Sequence, residues 1–221
     1  MKQDIWFVIV IYKPDTVVLG RLQKSLIGKS VIIVDNSRKN LGFGGGANVG
    51  IGKALASGAQ WVVILNQDIE LTKRVVEKFY EKLQSLAPGI AGPFAGSLDK
   101  KRWTTVLPSK KVDYISGACM AIHRNVFEKI GIFYEPYFMY YEDADLSIRA
   151  KQHGFPIQRI DIDGITHRET PVWPKGSQLH EYYLARNHFW FVMRLAPWRI
   201  KLHEIVRFPK TMLELIRKIL L

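Results

Sequence analysis

At 221 residues, with 48% hydrophobic and 12% aromatic content, the chain suits a folded globular protein with a single substantial core. Its only cysteine, Cys119, cannot form an internal disulfide, which argues against a secreted disulfide scaffold and makes a reducing cytosol the expected compartment. The formal net charge of +12 favours polyanionic partners: nucleic acid, anionic lipid or phosphorylated substrates.

Residues 5–12 (IWFVIVIY) read as a buried strand, stopped by Lys13-Pro14-Asp15 because Pro14 cannot continue a central ladder. Asp15 can cap a helix running to about residue 27. A second buried strand, SVIIV at 30–34, ends at Asp35-Asn36-Ser37. A glycine-rich loop, NLGFGGGANVG, then leads into a helix through about residue 57. The third strand, WVVIL at 61–65, is apolar without alternation, as a strand covered on both faces would be, and stops at Asn66-Gln67-Asp68. Thr72 can cap a helix to about residue 86. This βαβαβα order predicts a parallel sheet with right-handed crossovers.

Beyond Pro88, short strands or hairpins are expected to residue 113, and another strand over 115–122 (ISGACMAI). Aromatic residues at 138–141 stand at the mouth of an acidic stretch, Glu142-Asp143-Ala144-Asp145. A helix over 142–153 is closed by Gly154 and Pro156. Strand material over 157–166 ends at His167-Arg168, and helical tracts follow over 178–195 and 199–221. Strand sequence is reached by Ile5 with only Lys2 as a basic flank, so no signal peptide is expected. No apolar run approaches the ~20 residues that span a bilayer.

The polar residues at the strand ends carry the chemistry. In an open α/β sheet, ligands sit beyond the carboxyl ends of the strands. Asp68 there is placed to hold a hard cation, which can in turn hold a diphosphate; the alternative is an ordinary turn residue. Asp35 can accept hydrogen bonds from a base or ribose, or can close an Asx turn. GFGGGA fits a dinucleotide fingerprint, yet seven residues separate it from the strand and another strand precedes it; its glycines permit close approach of a nucleotide or simply a flexible loop. Asn48 reaches the same site or caps the helix. Among Glu142, Asp143 and Asp145, acids suit a helix N-terminus. Residues two apart do not share a helix face, so the three cannot all point into one pocket. Phe138, Tyr140 and Tyr141 could exclude water and raise a carboxyl pKa, as a general base near neutrality requires. His167 is a candidate metal ligand or a structural histidine.

Taken together, the blocks VIVIYKPD, IIVDNS, NLGFGGGANVGI, WVVILNQDIEL, YISGACMAIHR and FMYYEDADLSIRAKQHG, with the following His167, resemble glycosyltransferase family 2, in particular its rhamnosyltransferase and galactofuranosyltransferase-like members. The resemblance covers residues 5–167, and the Tyr182–Asn187 segment is similar to the stretch that follows the catalytic region in these enzymes. It implies a GT-A fold, Rossmann-like with a mainly parallel sheet. The catalytic domain would span 1–175, with a nucleotide-sugar half to about residue 90, and a helical extension would span 176–221. It also implies inverting, metal-dependent transfer from a dTDP- or UDP-sugar to a glycan or polyprenyl-diphosphate-linked acceptor in surface polysaccharide synthesis. On this resemblance Tyr12, Asp35, Gly44, Asn48, Asn66 and Gln67 border the nucleotide, and Ser116, Gly117 and Ala118 line the sugar pocket. Asp68 and His167 bind Mg²⁺ or Mn²⁺, and Asp143 is the base with Glu142 beside it. Asn66 stands where the family's D-x-D motif has its first acid, and Lys13 where many relatives carry Asn.

Two other readings compete. The first is a dinucleotide-dependent oxidoreductase, or a nucleotide-sugar-binding module without activity. The second is a nucleic-acid-binding protein, suggested by charge but lacking a helix-turn-helix, zinc or RNP pattern. From Arg186 onward the basic residues Arg186, Arg194, Arg199, Lys201, Arg207, Lys210, Arg217 and Lys218 face only Glu204 and Glu214. Together with the apolar ending IRKILL, this predicts a cytosolic enzyme held peripherally at the inner face of the membrane by its last helix.

Overall fold

The computed structural model describes residues 4–168 and 173–220; the side chains of residue 215 and of 218–220 fall outside the description. Strands β1 (Ile5–Ile11), β2 (Ser30–Asp35) and β3 (Trp61–Asn66) pair in parallel with β1 between the other two. The helices crossing between them are α1 (Thr16–Ser25) and α2 (Gly42–Ala56). Asp15 caps α1, its Oδ1 accepting from the N–H groups of Val17 and Val18 at 2.8 and 3.2 Å. After β4 (Ile69–Glu70), Thr72 caps α3 (Lys73–Gln84).

The second half runs through β5 (Ile90–Gly92), β6 (Ala95–Leu98), β7 (Thr105–Val106), β8 (Tyr114–Ile115), β9 (Cys119–His123) and α4 (Arg124–Ile130). Then come α5 (Glu142–Gln152), β10 (Ile157–Arg159), β11 (Thr166–His167), α6 (Gln178–Leu195) and α7 (Trp198–Leu220). The central sheet has the order β10-β5-β9-β3-β1-β2. It is mainly parallel, but β9 runs antiparallel to both β3 and β5. The strand expected over 115–122 is therefore two strands, β8 and β9, in different sheets, broken by a turn at Ser116-Gly117-Ala118.

Alternate residues of β1 serve opposite faces, the period of two expected of a strand. Phe7 and Ile9 pack with Leu22 of α1 and Phe79 of α3; Val8 and Val10 pack with Ile51 of α2 and Leu146 of α5. Both faces of β1 and β3 are covered, which is why these strands lack polar alternation; β2, expected to be buried, is the sheet edge and only half-buried, with Ile33 38% exposed.

The expected glycine-rich loop is mostly helix, because α2 begins at Gly42. Its glycines let the helix lie flush on β1. A Cβ on Gly46 would come within 2.7 Å of Val10, and one on Gly50 within 2.2 Å of Val8. Gly42 is constrained twice, by a φ of +73° and by the Phe138 carbonyl, which would stand 2.2 Å from any added Cβ. Tertiary packing overrides poor helix propensity here. The dinucleotide reading falls with the loop, since these glycines face strand and helix neighbours.

Candidate active site

The ends of β1, β2 and β3 and the first turns of α2 and α5 open onto one cleft of about 370 Å³. Its walls include Tyr12, Asn66, Gln67, Asp68, Ser116, Gly117, Ala118, Glu142, Asp143 and His167. Residues scattered over most of the sequence thus meet where such sheets hold ligands.

At one end of the cleft, β4 pairs antiparallel with β11, Ile69 opposite His167. This pairing returns His167, 101 positions beyond Asn66, to the end of β3. Asp68, 6% exposed, places Oδ1 3.1 Å from His167 Nε2, and the Asn66 amide nitrogen lies 3.2 Å from the same ring nitrogen. One ring nitrogen cannot donate to a carboxylate and accept from an amide at once. A cation bound by both the Asp68 oxygen and the neutral imidazole would account for the close approach of Oδ1 to Nε2 without a proton between them. Among the described residues no three His, Cys, Asp or Glu side chains form a metal cluster. The donor set therefore fits a cation that completes its shell with diphosphate oxygens and water rather than one caged by protein.

At the other end, Asp143 is fixed by backbone donors. Its Oδ2 accepts from Gly117 N–H at 2.9 Å and its Oδ1 from Ala144 N–H at 2.7 Å. Burial raises its pKa, partly opposed by these N–H groups. Glu142 is more deeply buried, and its Oε2 has no hydrogen-bond partner among the described residues. Burial first, then the charges of Asp143 and Asp145, push its carboxyl well above the usual range. Asp145 faces away, fully buried, pairing with Arg149 at 2.6 Å and Arg194 at 3.2 Å and accepting from the Tyr137 hydroxyl at 3.1 Å. Two of the three acids face the cleft and the third ties the fold together; the opposite facing of Asp143 and Asp145, two positions apart, follows from helical spacing.

The turn at 116–118 links the two ends. Gly117 holds Asp143, while the Ala118 carbonyl accepts from Asn66 N–H at 3.0 Å. A Cβ on Gly117 would approach the Phe43 ring to 2.8 Å.

No family model matches the sequence. The chain is 26% identical over 231 residues to a hexosyltransferase of low-salt glycan biosynthesis from Haloferax volcanii, covering 86% of this chain and 75% of that protein. It is 23% identical over 255 residues to a dTDP-rhamnosyl transferase from Shigella flexneri, covering 93% and 86%. A shorter stretch of 106 residues is 37% identical to an N-acetylglucosaminyl-diphospho-decaprenol L-rhamnosyltransferase from Mycobacterium tuberculosis, covering 45% of this chain and 33% of that one. Among solved structures, a mannosyltransferase from Pyrobaculum calidifontis, in complex with GDP-Man and Mn²⁺, superposes with a TM-score of 0.57 at 12% identity, covering 94% of this chain and 70% of the other. The chain is a glycosyltransferase with the GT-A fold.

Several expected nucleotide contacts of this glycosyltransferase have other partners. Gly44 is buried in α2 against Phe133 and Glu142. Asn48 is buried, donating to the Phe133 carbonyl and the Glu135 carboxylate and accepting from Phe133 N–H, each at 3.0 Å. Both lie off the cleft and act as struts between α2 and residues 133–135. Gln67 lines the cleft, but its amide accepts from Tyr12 N–H at 2.7 Å and donates to the Tyr12 carbonyl at 3.1 Å, so it positions Tyr12. Asp35 is exposed and closes an Asx turn through Ser37 N–H at 2.8 Å, which lowers its pKa.

Further residues shape the site in ways the sequence did not indicate. Asn36 is buried at the end of β2 and donates to the Gly42 carbonyl at 2.7 Å, fixing the start of α2. Phe138, Tyr140 and Tyr141, immediately before the acids, adopt φ of +65°, +70° and +74°. This strained segment is gripped from α6. Asn187, fully buried, directs Nδ2 at the carbonyls of Tyr137, Met139 and Tyr140 at 2.9, 2.6 and 3.0 Å. Arg186 donates to the carbonyls of Pro136 and Tyr137 and, through Nε, to Asn187 Oδ1, each at 2.9 Å. His180 and Leu184 reach the cleft itself, so the expected boundary at residue 175 cuts through the site. The resemblance of the Tyr182–Asn187 segment pointed to this stretch, but not to the carbonyls that Asn187 holds.

Proposed function

We propose that this enzyme transfers a hexosyl residue, with rhamnose the first candidate, from a dTDP- or UDP-sugar to a hydroxyl of a saccharide or polyprenyl-diphosphate-linked acceptor, inverting the anomeric centre. The observation that carries the reading is the pairing, across one cleft, of the Asp68–His167 contact with an Asp143 carboxylate oriented by Gly117 and Ala144. Asp143 takes the proton of the acceptor hydroxyl as that oxygen bonds to the anomeric carbon on the face opposite the diphosphate. The bond from the anomeric carbon to the diphosphate oxygen breaks, and its electron pair leaves with the diphosphate. A divalent cation, Mg²⁺ or Mn²⁺, held by Asp68 and His167 would neutralise that leaving charge. Asp143 suits the base role better than Glu142, because both its oxygens are oriented while the Glu142 side chain packs against Gly44. Asp35 and Tyr12 border the nucleoside in this reading, and the 116–118 turn borders the sugar.

The names of the Shigella and mycobacterial relatives support dTDP-rhamnose as donor and a lipid diphosphate as acceptor. The enzyme then works on the cytosolic side of the membrane, where a soluble donor meets a membrane-borne acceptor. The test is transfer from a panel of nucleotide sugars in the presence of Mg²⁺ or Mn²⁺, with the product's anomeric configuration read by NMR. Inverted product from one nucleoside-diphosphate sugar is expected; retained configuration, or transfer unaffected by chelation, would overturn the mechanism.

A further inference from the structure

Helix α7 is apolar on the side where a helix packed at the surface should be polar. Trp198, Leu202, Ile205, Val206, Leu213 and Ile216 are 50–73% exposed. At about 100° per residue they fall within a single arc of roughly 100°. The opposite side of α7 packs on α6. There Glu204, 3% exposed, meets His188 at 3.3 Å, and Phe208 lies against Phe189 with ring centroids 4.0 Å apart. By the same spacing, Arg199 and Lys210 flank the apolar arc on one side and Lys201 on the other. The expected apolar end at 219–221 lies outside the described side chains, and the exposed row stands without it. No helix among the described residues is long and apolar enough to cross a bilayer.

We infer that this outward face of α7 docks on an anionic membrane surface, lying in the plane of the interface. Apolar side chains enter the acyl boundary while the flanking Arg and Lys reach lipid phosphates. Charge complementarity selects the occupant: the bases border the apolar row on both sides, and the whole chain carries +12. The face is continuous with the site, because α7 follows directly on α6, which supplies His180 and Leu184 to the cleft and Asn187 to the loop before Asp143. Docking here would bring the cleft to a membrane-borne acceptor. The inference deepens the acceptor reading above, but its test uses neither donor nor acceptor, so failure of one does not imply failure of the other.

Full-length protein is sedimented with phosphatidylcholine vesicles containing about one third phosphatidylglycerol, and with pure phosphatidylcholine vesicles. Binding to the anionic vesicles alone, weakening with salt, is expected. The triple variant Leu202→Gln/Ile205→Gln/Val206→Gln changes only exposed side chains; it should retain the wild-type melting temperature and bind about tenfold or more weakly. Arg199→Glu/Lys210→Glu should lose the preference for anionic lipid. Equal binding to both vesicle types, no binding at low salt, or a wild-type dimer that the triple variant converts to monomer would overturn the proposal; the last would make this face an interface between two copies of the chain.

Discussion

Asn187→Asp separates hydrogen-bond chemistry from shape at the point where α6 grips the segment preceding the catalytic acids. The substitution is nearly isosteric and leaves an oxygen for Arg186 Nε, but it replaces the donor aimed at the Tyr137, Met139 and Tyr140 carbonyls with an acceptor. An amide carries two hydrogens, so at most two of the three carbonyls are fully served at once. Each buried acceptor left without a donor costs about 1–3 kcal/mol, so the expected loss is roughly 2–6 kcal/mol. For a chain of this size that corresponds to a melting temperature lower by about 10 °C. Release of the clamp also lets Phe138, Tyr140 and Tyr141 leave their positive φ angles, which recovers part of that loss. Asp143 would then move, lowering kcat by about 10–100-fold with a smaller change in the KM for donor. Thermal unfolding and steady-state kinetics below the melting transition give the answer. A variant that melts within about 1 °C of wild type and keeps its kcat would refute the clamp.

The other expected outcomes follow from the same geometry. Asp143→Asn should retain donor binding, measured by calorimetry, and lose about 10²-fold or more in kcat. In the wild type, kcat/KM should fall as pH drops through the raised pKa of Asp143, because the base must be ionised, and the variant should lose that limb. Asp68→Asn should weaken metal-dependent donor binding strongly while shifting the melting temperature little, and adding EDTA to the wild type should mimic it. Gly42→Ala forces a Cβ against the Phe138 carbonyl at positive φ and should cost about 3 kcal/mol or more, read as a lower urea midpoint.

Much of the nucleotide half was legible because local signals agree there. Apolar runs bounded by Pro14, Asp35 and Asn66 mark the strands, and Asp15 and Thr72 mark the helix starts. What was not legible depends on contacts between distant residues. Nothing near Cys119 announces that β9 reverses direction between β3 and β5. The glycines of α2 look like a loop until Val8 and Val10 are seen beneath them. Gln67 and Asn48 are polar residues in plausible places, but the fold engages their amides with Tyr12 and Phe133, partners 55 and 85 positions away. Asp145 behaved as its spacing from Asp143 required, because helical periodicity is a local property.

The position of β9 also governs the order in which this protein can fold as it is synthesised. β1, β2 and β3 are synthesised before β9, and until β9 pairs with it the apolar Trp61–Asn66 strand is an open edge that the finished sheet does not have. The strand that covers it ends at His123, and β5 beyond it waits for a parallel partner that ends at Arg159. Over that interval the nascent chain carries an uncapped, β-branched edge, the kind of surface that pairs with neighbouring chains. Closure then depends on contacts of large sequence separation, which form slowly. Truncations ending before residue 123 would keep that edge permanently and should aggregate, however completely they retain the nucleotide half.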